Sequence, residues 1–393
     1  MDHSRNPYTP GAGTPPPALV GRDDELAAGR TVIARTSRGR VAQPPILYGL
    51  RGVGKTVLLK ALQAQADKAG WLTVEIEGTQ TASQQDQTRQ RLARALVTSA
   101  RALTPPRRTS QAWQRALATI SAFSVAVGPL GMTATLGVDP ARGRADSGDP
   151  SIDVEELVSD LVPALKESGI ALAVFVDEIQ DLDAATLSAL IATQHRASQK
   201  GWPFHLYGAG LPNVPGRMAE VHSYAERFHF MRIGALSARD ARSALESPAA
   251  AEGVSFTEPA VERLVQVSGG YPYFIQVYGD QAWRNAPGPS SITYDDALAA
   301  VTTGTAVLDE SLFHSRWDRA TPAQKHLMRA MAEDRSSSQL SDLVSRLGKR
   351  RPSDLSVARD ALIKKGLIFA PDRGMLQFTV PHMDDYIRRQ HEG

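Results

Sequence analysis

Pro44-Pro45-Ile46-Leu47-Tyr48-Gly49 runs without a break into Leu50-Arg51-Gly52-Val53-Gly54-Lys55-Thr56. The first half is a short apolar strand entered through two prolines. From Gly49 the second half matches G-x-x-x-x-G-K-[ST] in full, a phosphate-binding loop. Lys55–Ala69 then places Leu58, Leu62 and Ala66 on one helical face. Strand, glycine loop and helix form the context this pattern needs. Gly49, Gly52 and Gly54 let the backbone curl so that its N–H groups point at phosphate oxygens. The helix beginning at Lys55 adds its N-terminal dipole. Lys55 supplies a point charge for the β- and γ-phosphates, and Thr56 a hydroxyl for Mg²⁺. Leu50, Arg51, Val53 and Val57 complete the candidate ATP-binding stretch. The alternative, a glycine-rich turn without a ligand, is disfavoured because motif and context agree.

Such a loop needs a carboxylate at the end of a neighbouring strand. Ala171–Val176 (ALAVFV) is wholly apolar, as a strand buried on both faces of a parallel sheet should be. It ends in Asp177-Glu178. Asp177 is the candidate second ligand of Mg²⁺, through water, and Glu178 the candidate general base. An adjacent glutamate suits attack by water, hence hydrolysis. Asp181 and Asp183 read as caps of the next helix.

Around these two strands the pattern is α/β. Helices are predicted from about Leu19 to Ser37, over Ser83–Leu103, Gln111–Ile120, Val154–Ser168 and Ala184–Gln199. Strands are predicted at Leu72–Glu77, Pro203–Tyr207 and Phe228–Ile233. Phe123–Val138 reads as two strands about a turn at Gly128–Gly131. This alternation predicts a three-layer P-loop domain with a parallel sheet over residues 19–236. From Ser237 to about Phe313 only helices are readable, a lid. Residues 1–18 carry five prolines and two glycines and read as an extended, mobile tail.

Composition sets the remaining bounds. A chain of 393 residues prompts two or three domains. The absence of cysteine excludes disulfides, thiolate metal sites and cysteine nucleophiles, and fits a reducing cytoplasm. MDHSRNPYTP lacks the apolar segment of a signal peptide, and no stretch reads as a membrane span. The formal net charge is +2, unevenly spread. Residues 311–393 hold 15 Lys/Arg against 10 Asp/Glu, and the first 310 residues hold 29 against 32. That asymmetry points to an acidic partner for the C-terminal part, or to an ordinary solvated surface.

With these motifs placed, the chain resembles AAA+ ATPases of the origin-recognition branch, archaeal and prokaryotic, and the related STAND NTPases, over about residues 17–390. LVGRDDEL (Leu19–Leu26) is similar to the box that opens such modules. The resemblance puts Val20, Gly21 and Arg22 by the adenine. SGGYPYFIQ (Ser268–Gln276) is similar to the Gly-x-Pro motif of STAND lids, with Gly270 and Pro272 matching. Two departures stand out. After the fourth strand the chain reads LYGAGLPN (Leu206–Asn213), with glycine and alanine where these families often carry a polar sensor. The lid shows no sensor arginine at Gly270–Gln276. The resemblance therefore implies ATP hydrolysis that is slow or depends on a neighbour. AERF (Ala225–Phe228) lies where AAA+ relatives place the arginine finger that reaches the next subunit of an oligomer. Arg227 is the candidate, and a surface arginine in an ion pair is the alternative.

Residues 317–390 read as three helices, Thr321–Arg335, Gln339–Gly348 and Pro352–Gly366, followed by a hairpin over Leu367–Val380. That order is a winged helix. ALIKKGLI (Ala361–Ile368) resembles the end of its recognition helix. One reading is duplex DNA binding, with Lys349, Arg350 and Arg351 on phosphates, Arg359 facing a groove and Arg373 on the wing. The other is contact with a protein partner or with the ATPase itself, as in a STAND-like signalling switch.

Overall fold

The computed structural model describes residues 1–11, 13–79, 84–102, 110–127 and 136–390. Five parallel strands form the central sheet: β1 (Pro45–Tyr48), β2 (Leu72–Glu77), β3 (Leu172–Asp177), β4 (Phe204–Gly210) and β5 (His229–Arg232). They lie in the order β2-β3-β4-β1-β5. β3 is an interior strand, apolar on both faces. It pairs Val174 with Val74 on one side and with Leu206 on the other.

The chain runs one way across the sheet from β1 to β2, then returns through β3 and β4. Right-handed crossovers then put α2 (Lys55–Lys68) on one face, with α1 (Asp23–Thr36) against it. α3 (Gln84–Arg101), α4 (Gln111–Val127), α5 (Pro150–Ser168), α6 (Ala184–Lys200) and α7 (Val214–Val221) fall to the other side. Leu58, Leu59, Leu62 and Ala66 of α2 are buried on the sheet. Each leucine contributes about 1.5–3 kcal/mol of burial. Because the crossovers change face here, the carboxyl ends of β1 and β3 open onto a common crevice.

Two expectations are corrected. Phe123–Val127 is the last turn and a half of helix α4, not a strand. Trp113, Ala116, Leu117, Ile120, Phe123 and Val127 are all buried at helical spacing, so the face that begins at Trp113 continues through these residues. The expected turn and most of the second strand lie outside the described residues. The first residues do not form a free tail either. Tyr8 is buried, its hydroxyl bonded to the Leu245 carbonyl and its ring set against Gly279, where a Cβ would come within 2.6 Å. The amino terminus donates to the Ala286 carbonyl at 2.9 Å, and Arg5 pairs with Glu252 at 3.0 Å.

After the sheet come α8 (Ala238–Ala251), α9 (Glu258–Ser268), α10 (Pro272–Asn285) and α11 (Tyr294–Leu308). Two short strands, β6 (Ser255–Phe256) and β7 (Ser291–Ile292), pair between them, a detail the helical reading lacked. A π-helical turn, Asp309–His314, leads to α12 (Ser315–Asp318). The remaining segment holds α13 (Pro322–Ala332), β8 (Ser337–Gln339), α14 (Leu340–Arg346), α15 (Ser356–Lys364), β9 (Ile368–Phe369), β10 (Met375–Phe378) and α16 (Met383–Arg389). Its strands form an antiparallel sheet in the order β8-β10-β9. The apolar interior here is continuous with that of α8–α11. Phe313 stacks on Tyr386 with ring centroids 5.4 Å apart and meets Phe274 at 6.4 Å.

Candidate functional site

The glycine loop takes the shape its sequence dictates. Gly52 and Gly54 have φ of 80° and 89°, where a side chain would be strained. A Cβ on Gly49 would lie 2.1 Å from the Ile233 carbonyl, so only glycine lets the loop pass the end of β5. Lys55 opens α2. Its ammonium is buried and donates to the Leu50 carbonyl at 2.8 Å. Burial pushes its pKa down to about 8, with Arg51 adding to the effect and Glu178 and Asp177 opposing it.

β3 delivers the acidic pair to this loop. The Thr56 hydroxyl donates to Asp177 Oδ2 at 2.7 Å, although the two residues lie 121 positions apart. Glu178 follows with φ of 46°, a left-handed backbone that costs a non-glycine residue about 1–2 kcal/mol. Its carboxylate is held twice. Arg51 Nη1 reaches Oε1 at 2.8 Å and Gln180 Nε2 reaches Oε2 at 2.7 Å. Gln180 also accepts from the Leu211 N–H at 3.0 Å, tying Glu178 to the end of β4. Its amide lies against Gly210, where a Cβ would come within 2.1 Å of Oε1. Gly210 of LYGAGLPN thus makes room for a polar group that comes from the turn after β3. Asn213 stands at the start of α7 and makes no side-chain cap. Asp183 caps α6 by accepting from the Thr186 N–H at 2.8 Å.

A cavity of about 410 Å³ opens over this junction. Arg51, Gly52, Val53, Gly54, Lys55, Thr56 and Val57 line it, as do Asp177, Glu178, Val20, Arg22 and Pro272. The helical segment closes it from above: the Tyr273 N–H donates to the Gly52 carbonyl at 3.2 Å. Gly270, at φ 73°, passes 2.3 Å from the Leu236 carbonyl as judged by a built Cβ. The C-terminal segment reaches the same loop, with the Arg51 N–H donating to the Thr379 carbonyl at 2.9 Å. The N-terminal strap lines one wall through Thr9, Gly13 and Leu19.

Other predicted residues turn to the protein itself or lie away from the cavity. Arg22, at the cavity wall, reaches back to the Val53 carbonyl at 3.1 Å and the Gly234 carbonyl at 2.6 Å, so it pins the loop to the segment after β5. Gly21, at φ 65°, turns against Asp240. Arg227 ends a 3-10 turn, Ser223–Arg227, is exposed and is not among the residues lining the cavity. Lys349, Arg350, Arg351 and Arg373 are exposed, and Arg359 pairs with Asp360 at 2.8 Å. Arg316 was not foreseen, yet it lines the cavity from α12; nothing in its sequence neighbourhood marks it.

The donor set suits Mg²⁺. Thr56 and Asp177 offer oxygen only, and no cluster of three His, Asp or Glu exists among the described residues. A cation there would complete its shell with phosphate oxygens and water, the usual habit of Mg²⁺.

Comparison with known proteins agrees with this geometry. The AAA ATPase domain family matches residues 18–206, and a domain family of unknown function, DUF8462, matches residues 310–387. No curated protein matches the sequence. Among solved structures, the Walker-type ATPase paby2304 of Pyrococcus abyssi is similar over 94% of this chain and 96% of its own, at 16% identity and a TM-score of 0.62. The Cdc6p of Pyrobaculum aerophilum (15% identity, 99% of each chain) and the RuvB Holliday junction branch migration motor of Thermotoga maritima (17%, 93% and 96%) each give a TM-score of 0.45. The fold assignment rests on the Pyrococcus structure. The chain has the P-loop AAA+ fold, and its residues 18–206 match the AAA ATPase domain family. Domain and fold together support ATP binding and hydrolysis. No helix among the described residues is long and apolar enough to cross a membrane.

Proposed function

We propose that this protein binds ATP and Mg²⁺ in the cavity over Gly49–Thr56, hydrolyses ATP with Glu178 as general base, and couples the nucleotide state to a C-terminal winged helix that binds duplex DNA. The 2.7 Å contact of Thr56 with Asp177 carries the first part, since it brings a hydroxyl and a carboxylate to the point where a cation would bridge phosphates. Lys55 holds phosphate charge, Val20 and Pro272 border the base, and Mg²⁺, when bound, neutralises developing charge. Glu178 becomes available to a water only once Arg51 lets go of it. Hydrolysis is therefore slow in the geometry described, and faster when something draws Arg51 away.

The organisation we propose is an ATPase core at 19–236, a lid at 237–313 and a winged helix at 317–390. For DNA, the supporting observation is charge. Lys349, Arg350, Arg351 and Arg373 have no acidic side chain paired with theirs among the described residues. Asp354, which would neutralise the turn, accepts the Arg350 and Arg351 N–H groups at 3.1 Å each and leaves the guanidinium groups free. Arg227, exposed and away from its own cavity, suits a finger for a neighbour's γ-phosphate in a homo-oligomer. A second reading has support of its own. The Arg51–Thr379 contact seats the C-terminal segment on the phosphate loop, as a nucleotide-controlled switch with a protein partner would require.

One experiment separates them: ATP turnover with and without duplex DNA, beside solution mass under saturating non-hydrolysable ATP. DNA-stimulated turnover and a rise in mass support the DNA-bound assembly. Nucleotide binding with no DNA affinity at low salt, and a monomer throughout, favours the switch. No nucleotide binding at all refutes both.

A further inference from the structure

Arg316 is a half-buried cation with no carboxylate paired to it among the described residues. It stands on α12, at the joint between the lid and the C-terminal segment, just past the π turn Asp309–His314. A π turn shifts the helix by one residue and so re-aims every side chain beyond it by about 100°. Arg316 is thereby turned into the nucleotide cavity, which it lines together with Arg51, Lys55, Thr56, Asp177 and Glu178. Its Nη1 donates to the Leu312 carbonyl, one turn back, at 2.7 Å. No acidic side chain pairs with it among the described residues. Its pKa bears the mark of that isolation. Burial first, then the neighbouring Arg51 and Arg319, push it down to about 10, whereas Arg144, bonded to Asp160, is raised.

The charge balance of the cavity shows what is missing. Arg51 is matched by Glu178 at 2.8 Å. Asp177 is satisfied by the Thr56 hydroxyl at 2.7 Å and the Glu178 N–H at 2.9 Å. Lys55 and Arg316 each face only a backbone carbonyl. Two partly desolvated cations without anions are costly unless a ligand brings the negative charge. Lys55 belongs to the loop that cradles the inner phosphates. Arg316 is influenced by Arg51 and Glu178, and so lies toward the end of the cavity where water would attack.

We propose that Arg316 contacts the terminal phosphate of ATP bound in its own chain, and so makes the site prefer a nucleoside triphosphate to the diphosphate. This rests on the reading of the cavity as an ATP site. It assigns the cationic contact that the Gly270–Gln276 segment lacks to a residue at the far end of the lid. Since α12 joins lid to C-terminal segment, loss of the terminal phosphate removes a contact that holds that joint against the core.

The test is calorimetric titration of the full chain with Mg·AMP-PNP and, separately, Mg·ADP, for wild type, Arg316→Ala, Arg316→Gln and Arg316→Lys. The expected result is a loss of AMP-PNP affinity of about tenfold or more in the alanine and glutamine variants, with ADP affinity changed less than about threefold, and partial recovery in the lysine variant. Glutamine keeps the aliphatic stem and a polar end, shorter than arginine, and removes the charge, so it answers the question if alanine unfolds. An unchanged ratio of the two affinities overturns the proposal, as does an equal loss of both, which would make Arg316 a packing residue. Should wild type bind neither nucleotide, the ATP-site reading itself fails, a result distinct from wild-type binding with an unaltered ratio in the variants.

Discussion

The burial of Lys55 makes nucleotide affinity depend on pH in a defined direction. Lys55 is 9% exposed, and its pKa falls from an ordinary 10.5 to about 8. In the nucleotide-free protein about nine-tenths of the molecules carry the charge at pH 7, and about one-tenth at pH 9. Phosphate binds the charged form, so apparent ATP affinity should fall about tenfold between those values, roughly 1.4 kcal/mol. The bound phosphates draw the pKa back up, so binding takes up about 0.1 proton at pH 7 and about 0.9 at pH 9. The sign for folding is opposite. The folded pKa lies below the unfolded one, so between about pH 8 and 10.5 the unfolded chain binds more protons, and the nucleotide-free fold gains stability as pH rises through that window. Titration with Mg·AMP-PNP in two buffers of different ionisation enthalpy reads both affinity and proton uptake. Lys55→Met should bind weakly with no pH dependence over the same range. Affinity that stays flat from pH 7 to 9, or the same slope in Lys55→Met, refutes the argument.

Three other outcomes are expected. Glu178→Gln should keep nucleotide binding and lower turnover at least ~100-fold, the scale of a lost general base, and equal turnover removes Glu178 from that role. Tyr8→Ala should destabilise the fold by about 3–5 kcal/mol through the cavity it leaves beside Gly279 and the freed Leu245 carbonyl, read by denaturant unfolding; a midpoint equal to wild type would mean the strap contributes nothing. Duplex DNA affinity, if about four phosphates are contacted, should fall with salt at a log–log slope near −3.6, and joint replacement of Arg350 and Arg351 by alanine should flatten it by up to about 2 units; an unchanged slope moves the C-terminal segment to the protein-contact reading.

The sheet was legible because its signals are local. β1 and β3 are apolar runs bounded by turn residues, and the helices after them carry a 3.6-residue stripe. The same reasoning misread Phe123–Val127 by weighing β-branched residues and glycines ahead of the stripe. Trp113, Ala116, Leu117 and Ile120 already fix the buried face of α4, and Phe123 and Val127 extend it at the same spacing. Composition also misled at the amino terminus. Prolines and glycines describe how a chain behaves when nothing holds it, and Tyr8 is held by Leu245 and Gly279, more than 230 positions away. No window of sequence contains both sides of that contact.

The site divides along the same line. Gly49–Thr56 and Asp177–Glu178 are found by pattern because phosphate and cation chemistry fix their spacing. What controls them is not spaced at all. Arg51 occupies a position that the motif leaves open to any residue, yet it clamps Glu178 through its side chain and meets Thr379 through its backbone. Gln180 fills a gap created by Gly210, thirty residues on and one strand over. Arg316 reaches the cavity because a π turn re-aims its helix. Each of these contacts joins elements that only the folded topology makes neighbours. Glu178 is therefore connected to core, lid and C-terminal segment at once. In the coupling proposed above, a change in the seat of any one of them would reach Glu178 through the Arg51 guanidinium, and that is where nucleotide state and C-terminal position would be linked.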